Sequence, residues 1–140
     1  MIVLDTNVLS ELTRQAPDAA VLAWLDSLPT AEVATTAVTA AELLYGVARL
    51  PAGRRNRALA EAVHALINDD FRGRVEPFDT HAAAQYAIVV TVREKLGRPI
   101  TVADAQIAAI CRSRDTVLAT RNTRDFEDTD IELVNPWHAC

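Results

Sequence analysis

An α/β domain with a mostly parallel central sheet is what this sequence predicts, and three observations carry the reading. Short apolar or β-branched runs alternate with longer segments of helical spacing along the chain, the order that lays helices against a sheet. The first run, Ile2-Val3-Leu4, is apolar without a break, as a strand covered on both faces requires. Half of the residues are hydrophobic and alanine is abundant, which suits helices packed closely on that sheet.

Ile2 to Leu4 form the first strand, and Asp5 stands at its carboxyl end, where open α/β sheets place their ligands. Asn7 to Leu12 continue as a short helix, for which Asp5 or Thr6 is a ready N-cap. Pro17 to Leu28 carry Ala20, Val21, Trp24, Leu25 and Leu28 at helical spacing, with Trp24 read as core, and Pro29 closes the segment. Glu32 to Val38 read as the second strand. Thr39 to Leu50 are a helix ended by Pro51 and Gly53. Arg54 to Phe71 are a longer amphipathic helix burying Leu59, Val63, Leu66 and Ile67. Arg74 to Phe78 give a short third strand. Thr80 to Leu96 form a helix stopped by Gly97 and Pro99; Ala84, Ile88, Val89 and Val92 are expected to face the core, with enough apolar surface left over to suggest a subunit contact. Thr101 to Ser113 are the last helix. Thr116 to Thr120 are a buried strand, Arg121 to Asp130 a loop with at most one helical turn, and Ile131 to Val134 a final strand. The expected sheet therefore has about five strands flanked by helices.

The 140 residues suffice for one domain over 1–140 with a full core, and no internal repeat or low-complexity tract divides them. No apolar run approaches the ~20 residues a membrane span needs. The N-terminus lacks a basic region ahead of its apolar run, so no signal peptide is expected. Cys111 and Cys140 make no disulfide framework, and the expected location is cytoplasmic. A net charge of −5 argues against a general nucleic-acid coat protein. It leaves a nuclease open, because a carboxylate metal site is itself negative. The arginines gather at Arg54, Arg55 and Arg57, at Arg72 and Arg74, at Arg93 and Arg98 with Lys95, and at Arg121 and Arg124.

Acidic residues fall where strands end. Asp5 closes the first strand. Glu42 lies in Thr39-Ala40-Ala41-Glu42, the form of a capping box with Thr39 at the N-cap. Asp104 repeats that form in Thr101-Val102-Ala103-Asp104, and Asp125 follows the strand ending at Thr120. Each has a structural explanation as a cap or first-turn acid. Yet the carboxyl ends of parallel strands share one edge of the sheet. Asp5, Glu42 and Asp125 are thereby delivered to one rim, and Asp104 opens a helix that could point at it. Carboxylates converging with no lysine among them repel and raise one another's pKa values. A divalent cation removes the conflict, and hard oxygen ligands suit Mg²⁺ or Mn²⁺. Such a site activates water and stabilises charge on a phosphate under in-line attack. His64, His81 and His138 are scattered, and no glycine-rich phosphate loop or serine nucleophile elbow is present. Acidic metal chemistry is the one catalytic option the residues support.

Val3-Leu4-Asp5-Thr6-Asn7, Thr39-Ala40-Ala41-Glu42, Ala103-Asp104-Ala105 and the run from Ala119 to Phe126 resemble, in order and across the whole chain, the four signature segments of PIN-domain ribonucleases. They are similar in particular to VapC-type toxins of bacterial toxin–antitoxin modules. The closing Asn135-Pro136-Trp137-His138 is similar to the FitB-like branch. The resemblance implies a Mg²⁺- or Mn²⁺-dependent endoribonuclease acting on RNA, homodimeric, held inactive by a small cognate antitoxin and meeting operator DNA only through it. It also implies that Asp5, Glu42 and Asp104 bind metal, with Thr6, Asn7 and Thr120 as supporting groups. The fourth position stays open between Asn122 and Asp125. Arg121 and Arg124 are the expected RNA phosphate contacts. Leu9, Leu12, Leu43, Leu44 and Val47 are candidates for an antitoxin groove, with plain core packing as the alternative. Two rivals remain: a small Mg²⁺-dependent phosphohydrolase using Asp5 as nucleophile, and a non-catalytic PIN-like binding module.

Overall fold

Ile2–Leu4 (β1) is the central strand of a five-stranded sheet of order β3-β2-β1-β4-β5, and every neighbouring pair in it is parallel. The structure is a computed structural model and describes residues 1–139; Cys140 lies outside them. The remaining strands are Val33–Thr36 (β2), Val75–Glu76 (β3), Val117–Ala119 (β4) and Leu133–Val134 (β5). The helices are Thr6–Leu12 (α1), Ala19–Asp26 (α2), Ala37–Ala48 (α3), Arg54–Ala65 (α4), Thr80–Lys95 (α5) and Val102–Arg114 (α6).

Side chains alternate across a strand, so β1 and β4 each serve two cores. Val3 and Leu118 pack with Val89 of α5 and Ala105, Ile107, Ala108 and Cys111 of α6. Leu4 and Ala119 pack on the opposite side with Val8 and Leu9 of α1, Val21 of α2, Leu43 of α3 and Val63 of α4. The sheet is thus covered on both faces, as its apolar strands require. α6 is buried nearly all round, and its small residues let it sit close against β1 and β4. Among the described residues no helix is long and apolar enough to cross a membrane.

The structure corrects the expected boundaries in several places. The strands are shorter than read, and β2 runs into α3 with no loop between them. The N-cap of α3 is Thr36, whose hydroxyl accepts from the Thr39 N–H at 3.0 Å. Thr39 is therefore in the first turn, and Glu42 lies a turn beyond any capping box. The expected helix from Arg54 to Phe71 stops at Ala65 and widens into a π-turn over Leu66–Asp70, closed by the Phe71 N–H on the Leu66 carbonyl at 3.0 Å. Leu9 and Leu43, candidates for a groove, are core residues; Leu12, Leu44 and Val47 are partly buried against that core. Gly97 ends α5 as expected, in the left-handed region at φ 70°.

Candidate metal centre

Successive connections place β2 and β3 on one side of β1, and β4 and β5 on the other. The direction of winding therefore switches between β1 and β4, and a crevice opens at their carboxyl ends. Asp5 leaves β1 there, its main-chain N–H bonded to the Ala119 carbonyl at 2.9 Å. It caps α1, as one sequence reading holds, by accepting from the Thr6 N–H at 2.8 Å. Its other oxygen accepts from the Thr120 hydroxyl at 2.8 Å and the Asn7 amide at 3.3 Å. Thr120 is fully buried at the end of β4, and its hydroxyl also accepts from the Asn122 N–H at 3.1 Å and the Asn7 amide at 3.2 Å. Asn7 accepts in turn from the Arg121 N–H at 3.0 Å. The cap and the site are one arrangement: the bonds that start α1 also fix the Asp5 carboxylate.

Glu42 reaches the crevice from the second turn of α3. Its Oε1 accepts from the Thr6 hydroxyl at 2.6 Å. Thr6 Oγ1 lies 3.2 Å from Thr39 Oγ1, which lies 3.3 Å from Thr36 Oγ1. Each hydroxyl has one proton and an ionised carboxylate only accepts, so the chain runs one way, Thr36 to Thr39 to Thr6 to Glu42. Thr36 and Thr39 are fully buried, and their place in this chain was not read from the sequence. The signal was available: three threonines, Thr35, Thr36 and Thr39, at the end of a buried strand.

Asp104 enters in the first turn of α6, whose N-cap Thr101 accepts from the Asp104 N–H at 3.2 Å. Burial first, then the charge of Asp5, pushes its carboxyl up to about 6; Thr101 pulls it partly back, and Asp125 and Glu42 raise it further. Asp5 is raised too, by burial above all and by Glu42, against the lowering effect of its hydrogen bonds to Thr120, Thr6 and Asn7. The carboxylates thus act on one another across one crevice. Among the described residues none of Asp5, Glu42, Asp104 or Asp125 is in an ion pair.

Asp125 and Asn122 lie on the short 3-10 turn Thr123–Phe126 and its N-cap, both exposed at the same rim. Arg121 is exposed, with its guanidinium 4.8 Å over the Trp137 ring, and Arg124 is exposed as well. The donor set is all oxygen and negatively charged, which fits a hard divalent cation chemically. Among the described residues no three acidic, histidine or cysteine side chains are already gathered to hold an ion, so side chains of the crevice would have to move to enclose one. Two cavities of about 380 and 480 Å³ lie elsewhere, lined by Met1, Thr116 and Val117 and by Leu12, Leu25 and Phe71. Neither includes an acidic residue of this crevice, so the site is identified by its charge and hydrogen bonding.

Residues 2–132 match the PIN domain. The chain is 43% identical over 138 residues to Toxin FitB of Neisseria gonorrhoeae, covering 99% of each chain. It is 40% identical over 137 residues to VapC ribonuclease Y4jK of Sinorhizobium fredii, covering 98% of each. A solved structure of FitAB bound to an IR36 DNA fragment contains a chain that superposes with a TM-score of 0.92 at 41% identity, covering 100% of this chain and 98% of that one.

Proposed function

This chain belongs to the PIN-domain family, and on that premise we propose that it is a metal-dependent endoribonuclease toxin of a type II toxin–antitoxin system, restrained by a cognate antitoxin. The observation that carries the reading is the set of carboxylates Asp5, Glu42 and Asp104. They come from three elements, stand without a cationic partner among the described residues, and leave Asp104 pushed up to about 6. The likeness to a protein named a VapC ribonuclease supports the nuclease class, and the likeness to one named a toxin supports the toxin role.

Asp5, Glu42 and Asp104 would hold Mg²⁺ or Mn²⁺, with Asp125 or Asn122 completing the set. Bound there, such an ion supplies Lewis-acid stabilisation to a phosphodiester under attack by water. The chain's own residues do the positioning. Thr120 and the Thr6 N–H fix the face that Asp5 presents, and the threonine chain holds Glu42 near it. Arg121 and Arg124, both exposed, would meet phosphates of single-stranded or looped RNA. With no histidine among these groups, the products carry a 5′-phosphate and a 3′-hydroxyl.

The test is incubation of RNA with Mg²⁺ or Mn²⁺, with and without EDTA, followed by ligation mapping of fragment ends. Cyclic phosphate ends would sink the carboxylate mechanism. No metal-dependent cleavage at all would leave a binding module.

Two partners follow. An acidic rim is a natural target for an antitoxin's arginine or lysine, which would compete with the metal. The chain's net charge of −5 makes direct binding to operator DNA unfavourable, so DNA is met through the antitoxin. A second copy is the other partner: Ile88, Val92 and Leu96 form an exposed apolar stripe along α5, with exposed Val102 at the start of α6. Ile88 and Val92, expected from their spacing to face the core, are exposed instead, as is Ala84, and Val89 alone of that set is buried.

A further inference from the structure

Arg93 is buried in the last turn of α5, and its guanidinium donates only to main-chain carbonyls. Nε donates to the Arg98 carbonyl at 2.6 Å and Nη2 to that of Pro99 at 3.5 Å. Nη1 donates to the Asp125 carbonyl at 3.0 Å and the Glu127 carbonyl at 2.8 Å. Among the described residues it has no carboxylate partner. The first two bonds close the turn that follows the helix, and the Arg98 N–H returns one to the Arg93 carbonyl at 2.9 Å. The Nη1 bonds are different: they reach 32 and 34 residues along the chain.

Those two sets of bonds grip the supports of two acidic residues. Arg98 and Pro99 lead directly into Thr101, the N-cap of α6, and so set where Asp104 begins its helix. The other carbonyls belong to Asp125 itself and to Glu127, on either side of Phe126, which is anchored in the core beneath α5 and α6. A planar fork with fixed donor directions holds both segments at once; an ammonium, a single point with rotating donors, cannot. The charge of Asp125 reaches Asp104 in this arrangement.

We propose that Arg93 is a positioning residue of the acidic site, fixing the separation of Asp104 and Asp125 through their main chains so that both can serve one divalent cation. The inference rests on the metal-nuclease reading above and adds to it a residue that touches neither metal nor RNA. Arg98 is the built-in comparison. It holds the same turn from outside through the side chains of Glu127 and Asp128, at 2.9 and 2.7 Å, without gripping the main chain of Asp125.

The experiment compares full-length wild type, Arg93→Lys, Arg93→Met, Arg98→Ala, Asp125→Asn, Asp5→Asn and the double variant Arg93→Lys/Asp125→Asn. Mn²⁺ affinity is read by titration calorimetry, Tm by circular dichroism, and kcat and KM on a fluorogenic RNA. Arg93→Lys is expected to weaken Mn²⁺ binding about tenfold, the effect typical of supports behind metal ligands, and to lower kcat more than it raises KM. Arg93→Met is expected to lose more, and Arg98→Ala to bind as wild type despite a lower Tm. The double variant should lose less affinity than the product of its two single losses, because both act on one turn. If Arg93→Met does not fold, Arg93→Lys and the double variant decide. Arg93 variants with lowered Tm but wild-type Mn²⁺ affinity and kcat overturn the proposal. If Asp5→Asn abolishes Mn²⁺ binding while the Arg93 variants keep it, only the role of Arg93 falls; if wild type binds no Mn²⁺, the metal-nuclease reading fails and takes this inference with it.

Discussion

Burial and the charges of Asp5, Asp125 and Glu42 hold the Asp104 carboxyl at about 6, against an ordinary 3.8. In the metal-free protein the fold therefore favours its protonated form. That contribution to stability is complete below about 3.8 and is lost as pH rises through about 6. A shift of this size corresponds to roughly 3 kcal/mol at full effect, and to about 1 kcal/mol after solvent screening of a half-buried group. Asp104→Asn is accordingly expected to be about 1 kcal/mol more stable than wild type at neutral pH without metal, with the advantage gone by about pH 4. Urea melts at several pH values check this. The same change, like Asp5→Ala, removes a charge the cation needs and should lower RNA cleavage at least about a hundredfold in a folded protein. Full EDTA-reversible activity in Asp5→Ala would show that the site is elsewhere. Substitution at Asn122, an amide that brings no charge, should cost less.

At the scale of elements, the junction of β2 with α3 does two jobs. Thr36 ends the strand, caps the helix and starts the hydroxyl chain that leads to Glu42. Thr36→Ala removes a cap worth about 1 kcal/mol, and Thr36→Ser should recover most of it in urea melts. An unchanged midpoint in Thr36→Ala would mean that the bond to the Thr39 N–H contributes nothing. Helix α5 shows another division of labour. Val89 and Ala82 bury its inner face, while Ile88, Val92 and Leu96 stay exposed. If that stripe joins two copies as proposed, placing charge on it with Ile88→Glu and Val92→Glu should leave the core intact and turn a wild-type dimer into a monomer, as read by light scattering after size exclusion.

For the whole molecule, the rim stores negative charge that folding alone does not neutralise. A cation that binds the native state and not the unfolded chain raises stability by mass action. Mg²⁺ or Mn²⁺ at a hundred times its Kd should therefore add about 2.7 kcal/mol to wild type and markedly less to Asp5→Asn. A thermal shift that is equal in the two proteins would place the ion outside this crevice. Because binding needs the carboxylates ionised, the shift should shrink as pH falls through about 6, where Asp104 takes up its proton.

The sequence by itself determined the layers and the cast of the site. Ile2-Val3-Leu4 and the run from Thr116 to Thr120 are apolar enough to be strands covered on both sides, and the alternation with helices makes such a sheet parallel. A parallel sheet puts strand ends on one edge, so Asp5, Glu42 and Asp125 were legible as one group, with Asp104 on a helix aimed at the same rim; the choice of Asp5, Glu42 and Asp104 as the metal-holding set came from the resemblance to PIN domains. Tertiary structure decided the rest. The order β3-β2-β1-β4-β5 places the crevice between β1 and β4, and strand order follows from packing among distant segments that local periodicity does not encode. Capping was misplaced at Thr39 because Thr36 and Thr39 have the same side chain, and only the length of β2 distinguishes them. The grip of Arg93 was invisible because it ends on carbonyl oxygens, which every residue has and which only the folded backbone brings within reach of one side chain.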